Sequence, residues 1–279
     1  SVAGGPGGTS SARRARTPAF GPEPRVIPFH TCPPTVRFSL VIFAMLLSTT
    51  AAAQSSTAKL REDERVLADW ANLHRYTDDN ARLGLPASGE QRVVFIGNSI
   101  TELWQTLDSS FFAGRPWVNR GISGQTTPQM LVRFRQDVID LHPSVVVILG
   151  GVNDIAENTG PTTLGAIFGN ITSMAELAKV NGITVVLSSV LPASDFRWRP
   201  GLEPGPKIVA LNAMIRQYAA DHQLTYVDYY AGMVDGHEGL RPELTTDGVH
   251  PTLAGYRVME PLVTSAIAAA LQSAASAGH

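Results

Sequence analysis

Two short segments of the chain, far apart in sequence, carry residue types that acyl-transfer chemistry requires. One is Gly97-Asn98-Ser99, which directly follows a short apolar run, and the other is Asp-Gly-Val-His-Pro, which places Asp247 three residues before His250. Acyl transfer needs a nucleophile, a base that takes its proton, and a group that orients the base. We therefore predict that Ser99 is a nucleophile served by the Asp247/His250 pair.

Each of these residues has a more ordinary role when it is considered alone. A serine at a strand-to-helix turn is commonly a helix N-cap, and an isolated histidine is commonly a surface or structural residue. Among the six histidines beyond residue 53, only His250 has an acidic residue at this spacing in a turn bounded by glycine and proline. The combination of the two segments therefore favours catalysis over the ordinary roles.

Candidate donors for an oxyanion follow two further apolar runs. Gly124 offers a backbone N–H that no side chain hinders, with Gly121 as its rival, and Asn153 offers a side-chain amide. The N–H of Ser99 would lie at a helix N-terminus, whose partial positive charge favours a developing oxyanion. Glycine and asparagine in loops are ordinarily turn residues, so each candidate depends on the others for support.

Short apolar runs that alternate with helical patterns must position these residues. Strands are predicted at 93–96, 117–119, 145–149, 183–188 and 224–229. Helices are predicted at 127–139, 162–181, 206–222 and 252–272. Such alternation indicates parallel pairing with helices on both faces. The predicted fold class is α/β: a three-layer α/β/α sandwich with a mostly parallel, about five-stranded, flavodoxin-like sheet.

Ligands bind beyond the carboxyl ends of the strands in such sheets, which also draws attention to the loop 195–200. This loop follows the fourth predicted strand, and we expect Phe196, Arg197 and Trp198 to contact substrate. Aromatic and guanidinium groups can stack on a sugar or contact an anionic group. The alternative is a loop that folds against the domain.

The segment 58–80 shows apolar residues at helical spacing in a polar background. It predicts one amphipathic helix packed on the core, with apolar positions at Leu60, Val66, Leu67, Trp70 and Leu73. We accordingly expect Trp70, like Trp104, to be a core residue.

Four separated blocks together resemble the SGNH hydrolases, also called the GDSL esterase/lipase family. Their order along the chain is the family's order: Gly-Asn-Ser-Ile-Thr at 97–101, Asn-Arg-Gly-Ile-Ser-Gly-Gln-Thr-Thr at 119–127, Gly-Val-Asn-Asp at 151–154 and Asp-Gly-Val-His-Pro at 247–251. The resemblance extends from about residue 91 to residue 270. It implies a serine ester hydrolase that forms an acyl-enzyme and needs no cofactor.

The resemblance also implies a role for each matching residue. It assigns the triad to Ser99, His250 and Asp247, and the oxyanion donors to Ser99, Gly124 and Asn153. Asn98 stands where the family's name-giving pattern has aspartate, which is outside the triad, so we expect activity to survive this difference. The competing Gly-x-Ser-x-Gly pattern of α/β-hydrolases does not occur in the sequence.

A metal site built from Asp154, Asp247 and His250 is the less favoured alternative. No His-Glu-x-x-His or comparable run of ligands supports it, so no metal is predicted. The formal net charge of −2 gives no reason to expect a nucleic-acid partner. The oligomeric state is left open by the sequence.

The first 53 residues predict a leader and a signal peptide. A Gly-, Pro- and Arg-rich stretch precedes Arg37, an apolar run at 38–47 and the triplet Ala51-Ala52-Ala53, after which we expect cleavage. The alternative, a membrane anchor, is disfavoured because the run is far shorter than the roughly 20 residues of a spanning helix. Residues 54–279 are then one exported domain, secreted or periplasmic, and stable membrane insertion is not expected.

Removal of this segment also removes Cys32, the only cysteine of the chain. The exported protein would therefore have neither a disulfide nor a thiol nucleophile. No apolar segment suggests a lid or an acyl tunnel, which favours a short acyl group, and export suggests an acetylated carbohydrate as substrate. The alternatives are a lysophospholipase, thioesterase or arylesterase on the same scaffold, and a carbohydrate-binding protein without catalysis.

Overall fold

The structure of the chain is a computed structural model that describes residues 57–61, 64 and 67–277. The leader and the cleavage site predicted near Ala53 lie outside the described residues. Every helix and strand defined below belongs to the unit Leu60–His279.

Five parallel strands form one sheet. They are β1 (Val93–Gly97), β2 (Trp117–Gly121), β3 (Val145–Leu149), β4 (Thr184–Ser188) and β5 (Thr225–Val227). Their spatial order is β2-β1-β3-β4-β5 and every neighbouring pair is parallel. This is the flavodoxin-like order, so the predicted fold class is confirmed.

The apolar composition of the central strands explains their position. All residues of β1 and β3 are buried, as is typical of parallel strands that helices cover on both faces. In the register of the sheet, Gly97 at the end of β1 pairs with Gly121 of β2 and Leu149 of β3. The segments that leave these three strands therefore start side by side at one edge of the sheet.

Nine α-helices lie between residues 77 and 277. They are α1 (Thr77–Leu83), α2 (Ser99–Leu107), α3 (Ser109–Phe112), α4 (Thr127–Asp137), α5 (Val152–Ile155), α6 (Leu164–Val180), α7 (Pro204–Asp221), α8 (Tyr229–Met233) and α9 (Leu253–Ala277). Helices α2 and α9 pack on one face of the sheet, and α4, α6 and α7 form a contiguous layer on the other.

Trp104 joins α2 to the opposite end of the chain. Its ring stacks on Phe111 at a centroid distance of 4.7 Å and on Tyr256 of α9 at 5.2 Å. The Tyr256 hydroxyl in turn donates to the backbone oxygen of Ile100 at 2.8 Å. The core position predicted for Trp104 is confirmed.

Helix α9 is, within the described residues, the one helix long and apolar enough to cross a membrane. Its residues Tyr256, Met259 and Val263 have no exposed surface, and the helix contacts β3, β4 and β5. Its apolar side is therefore the cover of one sheet face.

The prediction of one continuous helix over 58–80 is wrong. Helical backbone ends at Ala68, a turn follows, and a 3-10 helix (Leu73–Tyr76) leads into α1. Asp69 causes the break because its carboxylate accepts a hydrogen bond from the Leu73 N–H at 2.7 Å, which competes with helical hydrogen bonding. Asn72 has φ 54°, a left-handed conformation that does not continue a helix.

The expected apolar face of this segment is also wrong. Leu60, Leu67 and Leu73 are exposed, and Trp70 is 41% exposed rather than a core residue. The residues that reach the core are instead Ala71 and Tyr76.

Candidate active site

The turn between β1 and α2 presents Ser99 at the first position of a helix. The side chain of Asn98 caps this helix, because its Oδ1 accepts from the Ile100 N–H at 3.1 Å. A Cβ on Gly97 would lie 2.0 Å from the Thr101 hydroxyl oxygen and 2.8 Å from the backbone oxygen of Leu149, so only glycine fits there. The first N–H groups of a helix have no intrahelical partner, which leaves the Ser99 N–H available to a ligand.

The structure brings all three predicted triad residues together. The Oγ of Ser99 lies 2.9 Å from Nε2 of His250, and Nδ1 of His250 lies 2.7 Å from Oδ2 of Asp247. This is the order of contacts in which a carboxylate orients an imidazole and the imidazole takes a proton from a hydroxyl. Ser99 is 8% exposed.

Backbone hydrogen bonds keep Asp247 ionised beside the imidazole. Its Oδ1 accepts from the N–H groups of Val249, at 2.9 Å, and His250, at 2.8 Å. Partial burial acts to raise the pKa of the Asp247 carboxyl, but the hydrogen bonds from His250 and Val249 outweigh that effect and lower the pKa to about 2. The carboxylate is therefore negative over the whole range in which a histidine titrates.

Thr245 shapes the loop that carries His250. Its hydroxyl donates to the backbone oxygen of His250 at 2.8 Å and accepts from the Gly248 N–H at 3.0 Å. Gly248 has φ 88°, a conformation that favours glycine. Sequence reasoning missed Thr245, although a threonine two residues before Asp247 is a typical turn-forming residue.

Gly124 has the properties expected of an oxyanion donor. Its φ is 78° and a Cβ there would meet no atom within 4 Å, so the space above it is open. No acceptor for its N–H occurs among the described residues. The rival Gly121 is engaged: its N–H donates to Oδ1 of Asn119 at 2.9 Å, and a Cβ there would lie 2.1 Å from the Glu102 nitrogen. The geometry thus favours Gly124.

Asn153 reaches the same turn from α5. Its Nδ2 donates to the backbone oxygen of Gln125 at 2.9 Å, and the side chain is almost buried. An amide nitrogen has two N–H groups, so one of them remains for an oxyanion.

Asp154, the neighbour of Asn153, has a structural environment. Its carboxylate accepts from the Thr127 N–H at 2.9 Å and the Thr127 hydroxyl at 2.6 Å, which joins α5 to the start of α4. Burial raises the pKa of Asp154 despite these bonds. Within the described residues, no group of three His, Cys, Asp or Glu side chains is arranged to hold a metal ion.

The loop 195–200 requires a correction. Phe196 has no exposed surface, so it packs in the core and is not available for the substrate contact predicted for it. Arg197 is exposed, and Trp198, 48% exposed, lies against the Phe196 ring at 5.1 Å. Arg199 donates to the backbone oxygen of Glu157 at 2.9 Å, which fastens the loop just beyond α5.

A match to a known family extends over this whole arrangement. The model of the GDSL-like Lipase/Acylhydrolase family matches residues 95–258, more than half of the chain. The chain belongs to this family. Membership confirms the resemblance predicted from the four blocks and places the chain among carboxylic ester hydrolases.

Solved structures of GDSL-like proteins share its fold. A Bacteroides fragilis protein described as an acylhydrolase is 50% identical with a TM-score of 0.71, and the match covers 73% of this chain and 99% of that one. A GDSL-like lipase from Bacteroides thetaiotaomicron is also 50% identical with a TM-score of 0.71, over 72% of this chain and 100% of that one.

A curated relative is more distant in sequence. Esterase TesA of Pseudomonas aeruginosa is 29% identical over 145 residues, which is 51% of this chain. The match spans 65% of the length of that esterase.

Proposed function

We propose that the chain is a serine esterase in which Ser99 is the nucleophile, His250 the general base and Asp247 the group that orients His250. The observation that carries the proposal is the 2.9 Å contact between Ser99 Oγ and His250 Nε2. Nucleophile and base must lie within hydrogen-bond reach, and the base must be oriented by a third group. Asp247, at 2.7 Å from the other ring nitrogen, supplies that third group.

Hydrolysis follows from this geometry in two halves. As Ser99 Oγ bonds to the ester carbonyl carbon, its proton passes to His250 Nε2 and the carbonyl π electrons move to oxygen. The N–H groups of Ser99 and Gly124 and the free amide N–H of Asn153 stabilise the oxyanion. The carbon–oxygen bond to the alcohol then breaks, and the alcohol leaves with the proton from His250. Water, deprotonated by His250, then attacks the acyl carbon. The bond from that carbon to Ser99 Oγ breaks, Ser99 takes the proton back from His250, and the acid is released.

A short acyl group is the substrate part that we propose for this site. This proposal is supported by the sequence, in which no extended apolar segment suggests a lid or an acyl tunnel for a long chain. A small acyl group, acetyl first, is therefore favoured over a long acyl chain.

A carbohydrate is the alcohol part that we propose. The exposed side chains of Arg197 and Trp198 support it, because the Arg199–Glu157 contact fastens their loop just beyond α5, the helix that carries Asn153. Indole and guanidinium groups at such a position suit a sugar or an anionic group.

Hydrolysis of p-nitrophenyl acetate, butyrate and octanoate, with acetylated xylan in parallel, tests the substrate class. We expect acetate to be preferred and acetate to be released from the xylan. Preference for octanoate would favour a lysophospholipase, thioesterase or arylesterase instead. No hydrolysis of any substrate would favour a non-catalytic carbohydrate-binding protein.

A tryptophan variant separates the two substrate parts. Trp198→Ala should lower kcat/KM on acetylated xylan and leave hydrolysis of p-nitrophenyl acetate unchanged, because the small ester does not reach the loop. Val180→Ala is the matched control, since Val180 is 79% exposed at the end of α6. Equal losses on both substrates would contradict a sugar contact.

We also propose that the protein is exported after cleavage behind Ala53. The basic Arg37, the apolar run at 38–47 and the small residues at 51–53 support this. N-terminal sequencing of the extracellular or periplasmic protein should start at Gln54. Recovery of the enzyme only from the cytoplasm, with residues 38–53 still attached, would contradict it.

A further inference from the structure

The turn that carries Gly124 is held on one side by a carboxylate of the nucleophile helix. Glu102 accepts a hydrogen bond from the Ser123 N–H at 2.8 Å and a second from the Ser123 hydroxyl. Glu102 lies on α2, about one helical turn beyond Ser99. The residue before Gly124 is therefore tied to the element that presents the nucleophile.

On the other side of the turn, Arg133 ties Gln125 to the end of β1. Its Nε donates to Oε1 of Gln125 at 2.6 Å, and its Nη2 donates to the backbone oxygen of Gly97 at 2.9 Å. Gly97 is two residues before Ser99, so this contact too leads back to the nucleophile turn. One guanidinium therefore connects the residue after Gly124 to β1. Gln125 is also held by Asn153, which donates to its backbone oxygen, and by Ala71, whose backbone oxygen accepts from Gln125 Nε2 at 2.7 Å.

The burial of Arg133 makes this placement specific. Its side chain has no exposed surface, and Asp137, equally buried, lies 3.0 Å from Nη1. A buried charge is costly unless it is paired and hydrogen-bonded. The three contacts of the guanidinium, to Asp137, Gln125 and Gly97, leave it in one orientation.

Gly124 has no side chain of its own to fix it. Its backbone oxygen accepts from Asn158 Nδ2 at 3.2 Å, and the residues on either side of it set the position of its N–H. An oxyanion donor works when it lies about 2.7–3.1 Å from the developing oxyanion, and such sites need tolerances of about 0.5 Å. We propose that Glu102 and Arg133 are positioning residues that fix the Gly124 N–H relative to Ser99. This inference rests on the proposed function, because it assigns the support of the same oxyanion site.

The ion pair between Glu102 and Arg75 is a separate contact. Arg75 Nη2 lies 3.2 Å from Glu102 Oε1, and both side chains are partly exposed. Ion pairs between exposed side chains contribute little to stability. The role of Glu102 is therefore expected to depend on its reach to Ser123 and not on its charge toward Arg75.

Two conservative variants separate reach from charge. Glu102→Asp keeps the charge, but its side chain is one methylene too short to reach Ser123. It should lower kcat on p-nitrophenyl acetate by about tenfold or more and keep KM within about twofold, because a displacement of about 1 Å can lower the rate by about 10²-fold. Glu102→Gln keeps an acceptor at full length and should retain kcat within about threefold, as a neutral hydrogen bond replaces a charged one. Arg75→Ala is the matched control and should match the wild type.

The opposite order, with Glu102→Gln more damaging than Glu102→Asp, would overturn the role of Glu102. A decrease of kcat in Arg75→Ala equal to that in Glu102→Asp would also overturn it, because the Arg75–Glu102 ion pair would then account for the effect.

Arg133→Lys tests the other side of the turn. It keeps a cation beside Asp137 but loses the fork that reaches Gln125 and Gly97 together. We expect kcat to fall while KM is kept; wild-type kcat in a folded Arg133→Lys protein would contradict a positioning role. If that variant does not fold, the Glu102 pair decides. Ser99→Ala, assayed in the same series, distinguishes a failure of the proposed function from a failure of this inference. Esterase activity retained in Ser99→Ala would refute the proposed function. Activity lost in Ser99→Ala, with kcat unchanged in Glu102→Asp, would refute only the positioning role.

Discussion

The two halves of the candidate site are built in different ways. The proton-transfer half is a single series of three side chains, Asp247, His250 and Ser99. Ser99 begins α2, whereas His250 and Asp247 lie on a loop with side chains that are 28% and 37% exposed. The oxyanion half offers three separate donors, and its support is buried, as the unexposed Arg133 shows. If one of the three side chains of the proton-transfer half is lost, no other group takes its place. In the oxyanion half, three donors share the negative charge of the oxyanion. The two halves should therefore respond differently to the loss of one group.

Loss of the orienting carboxylate should have the larger effect. Asp247→Asn should lower kcat by about 10⁴-fold, because an amide favours the wrong tautomer of the imidazole. Steady-state hydrolysis of p-nitrophenyl acetate measures this. A loss of less than tenfold would show that His250 is oriented by other groups, and the contrast between the halves would fail.

Loss of one oxyanion donor should lower kcat by less than loss of the orienting carboxylate. Asn153→Ala should lower kcat by a few hundredfold, which corresponds to roughly 2.7–4 kcal/mol, since Ser99 and Gly124 still donate. Asn181→Ala, an exposed asparagine beyond α6, is the control. A greater loss in Asn153→Ala than in Asp247→Asn would reverse the comparison.

The residue beside the nucleophile should have the smallest effect on rate. Asn98→Asp keeps the oxygen that caps α2 and places a second acceptor where the Asn98 Nδ2, buried, has no partner among the described residues. Because the cap of α2 is kept and no hydrogen bond is lost, kcat should change by less than about tenfold. A change of a hundredfold or more would show that position 98 belongs to the catalytic machinery.

Acid should weaken the proton-transfer half selectively. The pKa of Asp247 is lowered from 3.8 to about 2, so its carboxylate stabilises the folded state above pH 4, and this contribution is lost as the pH falls toward 2. The free energy of unfolding of the wild type should therefore exceed that of Asp247→Asn at pH 6, and the difference should shrink between pH 4 and pH 2. A difference that grows on acidification would contradict the lowered pKa.

The sequence predicted the parts of the molecule that follow local patterns. The apolar runs of β1 and β3 identify buried parallel strands, and the spacing of Asp247 and His250 identifies a turn that joins carboxylate to imidazole. The proximity of Gly124 and Asn153 to Ser99 could be inferred because parallel strands end at one edge of the sheet. The contact between His250 and Ser99 was inferred from the needs of acyl transfer and from the family resemblance.

The sequence did not predict what depends on contacts between distant residues. Glu102 and Ser123 are 21 positions apart, and Arg133 and Gly97 are 36 apart. The sequence nevertheless contains a pattern that could have indicated the Arg133–Asp137 pair. The two opposite charges lie four residues apart on the face of α4 that also carries the buried Met130 and Phe134. The helix expected over 58–80 failed because helical spacing cannot reveal the hydrogen bond from Leu73 to Asp69.

The most direct test of the account is the hydrolysis of p-nitrophenyl acetate by Ser99→Ala, measured beside the wild type at neutral pH. The alanine removes the one atom that is proposed to bond to the acyl carbon and leaves the Asp247–His250 pair and the donors in place. We expect turnover to be nearly abolished in a protein with the wild-type thermal midpoint. Undiminished esterase activity in Ser99→Ala would contradict the central claim.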